Sequence, residues 1–217
     1  MNQPSGPQDP LVLSYLGLRK AVGIIGTALP FVLAIGKILT QSPGIQDSIS
    51  GYYYTDMRNI FVGSLCAIGV FLMSCRGYDR KDKIAGYFAG AFANGVALFR
   101  MTPYTGATPG DKLIGALHQS FAALLFLTLA YFCLKQFTQT DAKKTPTPRK
   151  LLRNTVYRVC GWTILACIFL IVVVALPPVK AIVEWLSPVF WLESTAIVAF
   201  GVAWLAKGEM ILKDQET

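Results

Sequence analysis

The sequence predicts an all-α integral membrane protein, a bundle of six transmembrane helices with both termini on the cytoplasmic side. Three observations carry the prediction. Of 217 residues, 53% are hydrophobic and only 15% charged, and the mean hydropathy is +0.49; a chain of this size cannot hide so much apolar surface in one water-soluble core. The apolar residues gather into six runs near the length that crosses roughly 30 Å of hydrocarbon. The cations between those runs favour alternate loops.

The first run, residues 20–39, follows a segment that carries Asp9 and no Lys or Arg. No small-residue cleavage pattern ends this run, so it is expected to stay as a helix rather than be removed as a signal peptide. The second and third runs, 59–75 and 84–99, are short. They need snorkelling flanks such as Arg58, Arg76, Lys83 and Arg100, or a locally thinned bilayer. Runs 113–137, 156–176 and 186–206 complete the set. The polar stretch 138–155, with Pro146 and Pro148, reads as a cytoplasmic linker between a four-helix and a two-helix part of a single domain spanning 1–217.

Assigning alternate loops to opposite sides gathers Arg19, Lys20, Arg76, Arg80, Lys81, Lys83, Lys143, Lys144, Arg149, Lys150, Arg153, Arg158, Lys207 and Lys213 on one side. The other side has only Lys37, Arg58, Arg100, Lys112 and Lys180. The positive-inside rule makes the rich side cytoplasmic and the location the inner (plasma) membrane. The net charge of +8 is thereby explained by orientation and by contact with anionic lipid, and nucleic acid is not an expected partner. The five cysteines, Cys66, Cys75, Cys133, Cys160 and Cys167, lie within or beside apolar runs without metal-ligand spacing and read as small apolar fillers. No P-loop, dinucleotide fingerprint or haem motif occurs, and neither cofactor nor metal is expected.

Topology then assigns depth to the polar residues inside the runs. Asn94 falls in the outer half of the third span, and His118 about a turn or two below the outer surface on the fourth. Glu193 falls at similar depth on the sixth. Lys37, Arg58 and Arg100 stand near the same boundary, and such groups are costly in lipid unless they pair or meet water. An outward-facing polar cavity is the expectation, with Arg58, Asn94, Arg100, His118, Glu193 and Ser50 as ligand-binding candidates. Plainer roles exist for each: Glu193 as a counter-ion to Lys37, Arg58 or Arg100, His118 as a hydrogen-bonding partner, Asn94 as interhelical glue. The 48–58 loop places serines and Arg58 above this cavity, while Tyr52, Tyr53 and Tyr54 are also what an aromatic belt supplies.

On the third run, Ala85, Ala89, Ala93 and Ala97 form one stripe and Gly86, Gly90 and Asn94 the next. Such a smooth face lets another backbone approach closely, from this bundle or from a partner helix docked on Gly86 and Gly90.

The loop Ser48-Ile-Ser-Gly-Tyr-Tyr-Tyr-Thr-Asp-Met-Arg58, the helix Phe61-Val-Gly-Ser-Leu-Cys-Ala-Ile-Gly-Val-Phe71 and the ending Phe200-Gly-Val-Ala-Trp-Leu-Ala-Lys-Gly208 together resemble a group of bacterial multispan hypothetical membrane proteins. The resemblance covers most of the chain and supports topology; it implies no activity. Alkaline-ceramidase-like hydrolases offer a contrast, since their metal site needs several histidines and this chain has one.

Three functions compete at this level. The first is a cavity that binds or transports a lipid head group or small polar solute, its cations holding an anionic group and Glu193 an ammonium. The second is an intramembrane hydrolase or transferase, with His118 as base, Glu193 or Asp47 orienting it, and Ser48 or Ser50 as nucleophile. The third is a structural or accessory subunit of a membrane complex.

Overall fold

The computed structural model describes residues 10–74, 80–140 and 147–212, with side chains from residue 16 onward. The expectations for Asp9, Cys75, Arg76, Lys143, Lys144, Pro146 and Lys213 fall outside the described residues. Seven α-helices and no strand occur among those described: α1 (Pro10–Thr40), α2 (Arg58–Ser74), α3 (Arg80–Leu98), α4 (Pro109–Tyr131), α5 (Pro148–Val174), α6 (Pro177–Val183) and α7 (Pro188–Lys207). A 3-10 turn, Ser50–Tyr54, interrupts the connection from α1 to α2, and a π-helical turn, Phe132–Gln136, prolongs α4.

Among the described residues, four segments are long and apolar enough to cross a membrane: Leu16–Thr40, Pro109–Gln136, Pro148–Val174 and Pro188–Lys207. α2 is apolar but has 17 residues. α3 opens with Arg80, Lys81, Asp82 and Lys83, which dilute its hydropathy. α5 begins eight residues before the run expected at 156, because Thr147 accepts from the Lys150 amide and Pro148 occupies the first turn. That cap starts a helix on polar sequence, where hydropathy alone reads linker.

The six longer helices close into a ring. Each packs on the next, α1 on α2, α2 on α3, α3 on α4, α4 on α5 and α5 on α7, and α7 returns to α1. Close approaches are set by glycines. A Cβ on Gly201 of α7 would run into the Thr27 backbone and the Gly23 carbonyl of α1, and one on Gly69 of α2 would meet the Gly90 carbonyl and the Asn94 amide of α3. The Gly90 side of the small-residue face on α3 is therefore taken up by α2 of the same chain. Residues 23 and 205, and 69 and 94, face each other while 26 and 201, and 73 and 90, do so further along, so these pairs run antiparallel.

Much of the outer surface is apolar. Phe31, Ile35 and Leu39 on α1, Phe88 on α3, and Trp162, Phe169 and Val172 on α5 are all exposed, far more than a water-facing surface carries in contiguous patches. The buried residues are mostly apolar as well, with His118, Asp82, Arg153 and Lys37 among the few polar ones. The two ends also differ. One gathers Arg19, Lys20, Arg80, Lys81, Lys150, Arg153 and Lys207 beside an aromatic cluster of Phe132, Phe137, Tyr157 and Trp204. The other carries the connections 41–57, 99–108 and 175–187 and holds the candidate site.

Candidate functional site

The α1–α2 connection turns inward and closes the loop end of the ring. Its apolar residues Ile49 and Tyr52 are buried, Tyr52 fully, with the Tyr52 ring 6.1 Å from that of Phe190 on α7. Polar ties hold it on several sides. The Asp47 carbonyl accepts from the Phe190 amide at 2.9 Å, and the Asp47 carboxylate from the Ser187 hydroxyl at 3.2 Å. Glu193 Oε2 accepts from the Ile49 amide at 2.7 Å, with the Ser50 amide beside it. The Tyr54 hydroxyl donates to the Met101 carbonyl at 2.6 Å.

His118 lies at the centre of this closure, 1% exposed. Its Nδ1 is 2.7 Å from the Phe99 carbonyl and its Nε2 2.9 Å from Ser50 Oγ. A carbonyl oxygen can only accept, so Nδ1 carries a proton. In the neutral ring Nε2 is then an acceptor, and the Ser50 hydroxyl donates to it. The pair draws on two of the loop-end connections and one helix: 41–57 supplies Ser50, the start of 99–108 supplies Phe99, and the third turn of α4 supplies His118.

Two cavities meet at these residues. A narrow apolar one, about 50 Å³, runs inside the ring between Leu29, Phe61, Leu65, Leu125 and Phe200, and its polar side chains are Ser50 and Glu193. A second, about 130 Å³, is lined by Ser48, Ser50, Met101, Thr102, Gln119, Val189 and Glu193. Ser50 and Glu193 thus stand in the wall of both. Among the described residues the ion pairs join Arg100 to Asp111 and Arg153 to Glu209; neither involves Glu193.

The other sequence candidates take different places. Arg58 is exposed, its guanidinium donating to the Tyr53 hydroxyl at 2.6 Å and lying 4.3 Å from that ring. Arg100 donates to Asp111 at 2.5 Å. Lys37 turns back onto the Gly44 and Ser42 carbonyls and the Ser42 hydroxyl, at 3.0 to 3.4 Å. Asn94 donates to the Gly90 carbonyl one turn back in its own helix, at 2.8 Å, and packs on α2, away from His118. Ser48 accepts from the Gly51 amide at 3.0 Å and lies within bonding reach of the Tyr104 phenol, whose pKa burial pushes up. Among the described residues no group of three His, Cys, Asp or Glu side chains is placed to hold a metal.

Several participants went unseen in the sequence. Ile49 and Phe99 act through backbone atoms, which no side-chain pattern marks. Thr102 and Gln119 are ordinary polar residues of a loop and a helix until the cavity forms between them. Asp111 had a signal: Thr108-Pro-Gly-Asp111 has the spacing of a capping box. Thr108 Oγ1 accepts from the Asp111 amide at 3.2 Å, while Asp111 Oδ2 accepts from the Thr108 amide at 3.0 Å. Comparison of the chain with protein-family models, with curated proteins and with solved structures gave no match.

Proposed function

We propose that this chain is a six-span protein of a bacterial inner membrane, both termini cytoplasmic, whose outward-facing end binds or transports an amphiphile by its polar head. The observation that carries the reading is the shared wall: Ser50 and Glu193 border an apolar cavity inside the ring and a polar one beside it. A head group held at Glu193 would leave only the first carbons of its alkyl portion in the narrow space between Leu29, Phe61, Leu125 and Phe200, and a longer chain requires these apolar walls to move apart. Glu193 has no cationic partner among the described residues and takes its hydrogen bond from a backbone amide, so an ammonium is the head group that gains most there. The apolar outer faces and the basic opposite end support the orientation.

Binding of a long-chain alkylamine to the detergent-solubilised protein, followed by tryptophan fluorescence, tests the site. Glu193→Gln keeps an acceptor for the Ile49 amide and removes the charge, and is expected to weaken binding at least about tenfold, or 1.4 kcal/mol. Equal affinity in the two proteins would remove Glu193 from the site. For orientation, an impermeant maleimide on intact cells should label Lys112→Cys and leave Arg149→Cys unlabelled until the membrane is opened; the reverse pattern would invert the topology.

A further inference from the structure

We infer that the same site carries out acyl transfer, with Ser50 as nucleophile and His118 as its general base, on an amphiphile whose ester or amide carbonyl lies next to its head group. This rests on the binding reading above and adds a covalent step to it.

The geometry is that of an activated serine. Ser50 Oγ is 2.9 Å from Nε2, and the opposite ring nitrogen is 2.7 Å from the Phe99 carbonyl. That carbonyl selects the tautomer whose Nε2 lone pair faces the hydroxyl, the part an aspartate plays in serine hydrolases. Phe99 is therefore a positioning residue acting through its backbone. The sequence offers Ser48 or Ser50 as nucleophile, with Ser48, His118 and Glu193 as the catalytic candidates, and Glu193 or Asp47 as the orienting group. Only Ser50 touches His118, whereas Ser48 caps the Gly51 amide. Both carboxylates are engaged elsewhere, Glu193 by the Ile49 amide and Asp47 by Ser187. His118 itself is sealed from solvent, while Ser50 lines both cavities, so substrate reaches the nucleophile without flooding the base.

For an ester, Ser50 Oγ forms a bond to the carbonyl carbon as its proton passes to His118 Nε2. The tetrahedral adduct collapses with cleavage of the ester C–O bond, and His118 returns the proton to the departing alkoxide, releasing an alcohol. Water then adds to the acyl-Ser50 carbonyl, giving a proton to His118. The Ser50–acyl bond breaks, Ser50 regains its proton, and a carboxylic acid leaves. Thr102 and Gln119 share the wall of the polar cavity with Ser50 and are side chains able to donate to the oxyanion.

The test uses the full chain in detergent and a fluorophosphonate bearing a long alkyl group, which phosphonylates an activated serine with loss of fluoride. Intact mass and peptide mapping should show one adduct, on Ser50. It should be absent in Ser50→Ala and formed at least about 100-fold more slowly in His118→Asn; wild-type helical circular dichroism and a single elution peak in detergent for both variants would show that they are folded. An adduct on any other residue, or equal rates in wild type and His118→Asn, overturns the proposal. No adduct on a wild-type protein that still binds the alkylamine overturns the acyl-transfer step and leaves binding intact. Unchanged alkylamine binding by Glu193→Gln with Ser50 labelling preserved would support the chemistry and locate the head group elsewhere.

Discussion

Two polar groups stand at the loop end of the ring, built from neighbouring stretches of chain and in opposite ways. Arg100 and Asp111 form a charged pair at 2.5 Å, with the arginine side chain 46% exposed, and Asp111 also closes the capping box at the start of α4. Ser50, His118 and Glu193 lie inward of it, make no ion pair among the described residues, and are held by the Phe99 carbonyl and the Ile49 amide. The charged pair has the stronger electrostatics and the smaller structural consequence, because water screens it and Thr108 gives Asp111 a second partner. The inner group is held largely by backbone partners away from bulk water, so each of its bonds is costly to lose. Formal charge in the sequence thus marks the exposed pair, whereas the buried contacts depend on backbone partners.

The contrast is sharpest at His118. Replacing it by Leu strips the Phe99 carbonyl and the Ser50 hydroxyl of their partner together, a loss on the order of 3 kcal/mol. It should appear as a large drop in the unfolding midpoint in detergent; a midpoint near wild type would mean that the ring does not bridge the two elements. Glu193→Leu leaves the Ile49 amide without an acceptor, for about 1–3 kcal/mol, and Glu193→Gln should recover most of that in the same measurement. If Gln is as damaging as Leu, charge rather than hydrogen bonding holds the loop. Thr108→Ala removes the cap of α4 and is expected to cost about 1 kcal/mol, read from the same unfolding curves. Arg100→Ala should leave the midpoint within experimental scatter. A loss there approaching that of His118→Leu would erase the distinction between the two groups.

The sequence reading of the loop end groups residues by their height along the helices and leaves their partners open. His118, Glu193 and the 48–58 loop were placed together because span direction converts sequence position into height, and the structure brings them within hydrogen-bonding distance. Asn94 has a comparable height and faces α2 instead, because height says nothing about the direction around a helix axis once two smooth faces compete for the same neighbour. The choice of Ser50 over Ser48 depends on a 3-10 turn that starts at Ser50, with Ser48 accepting from the Gly51 amide just ahead of it. Short turns of this kind have no hydrophobic period to read.

By itself the sequence determined that the chain is helical and apolar along most of its length, and that its cations crowd one end, since hydropathy, helix length and charge are properties of residues in order. The ring was decided by tertiary structure, where glycines at 23, 69, 90 and 201 admit neighbouring backbones. So was the site, because the bonds that define it run from side chains to the main-chain atoms of Ile49 and Phe99. Those atoms are alike in every residue, and only packing selects which of them a histidine or a glutamate will meet.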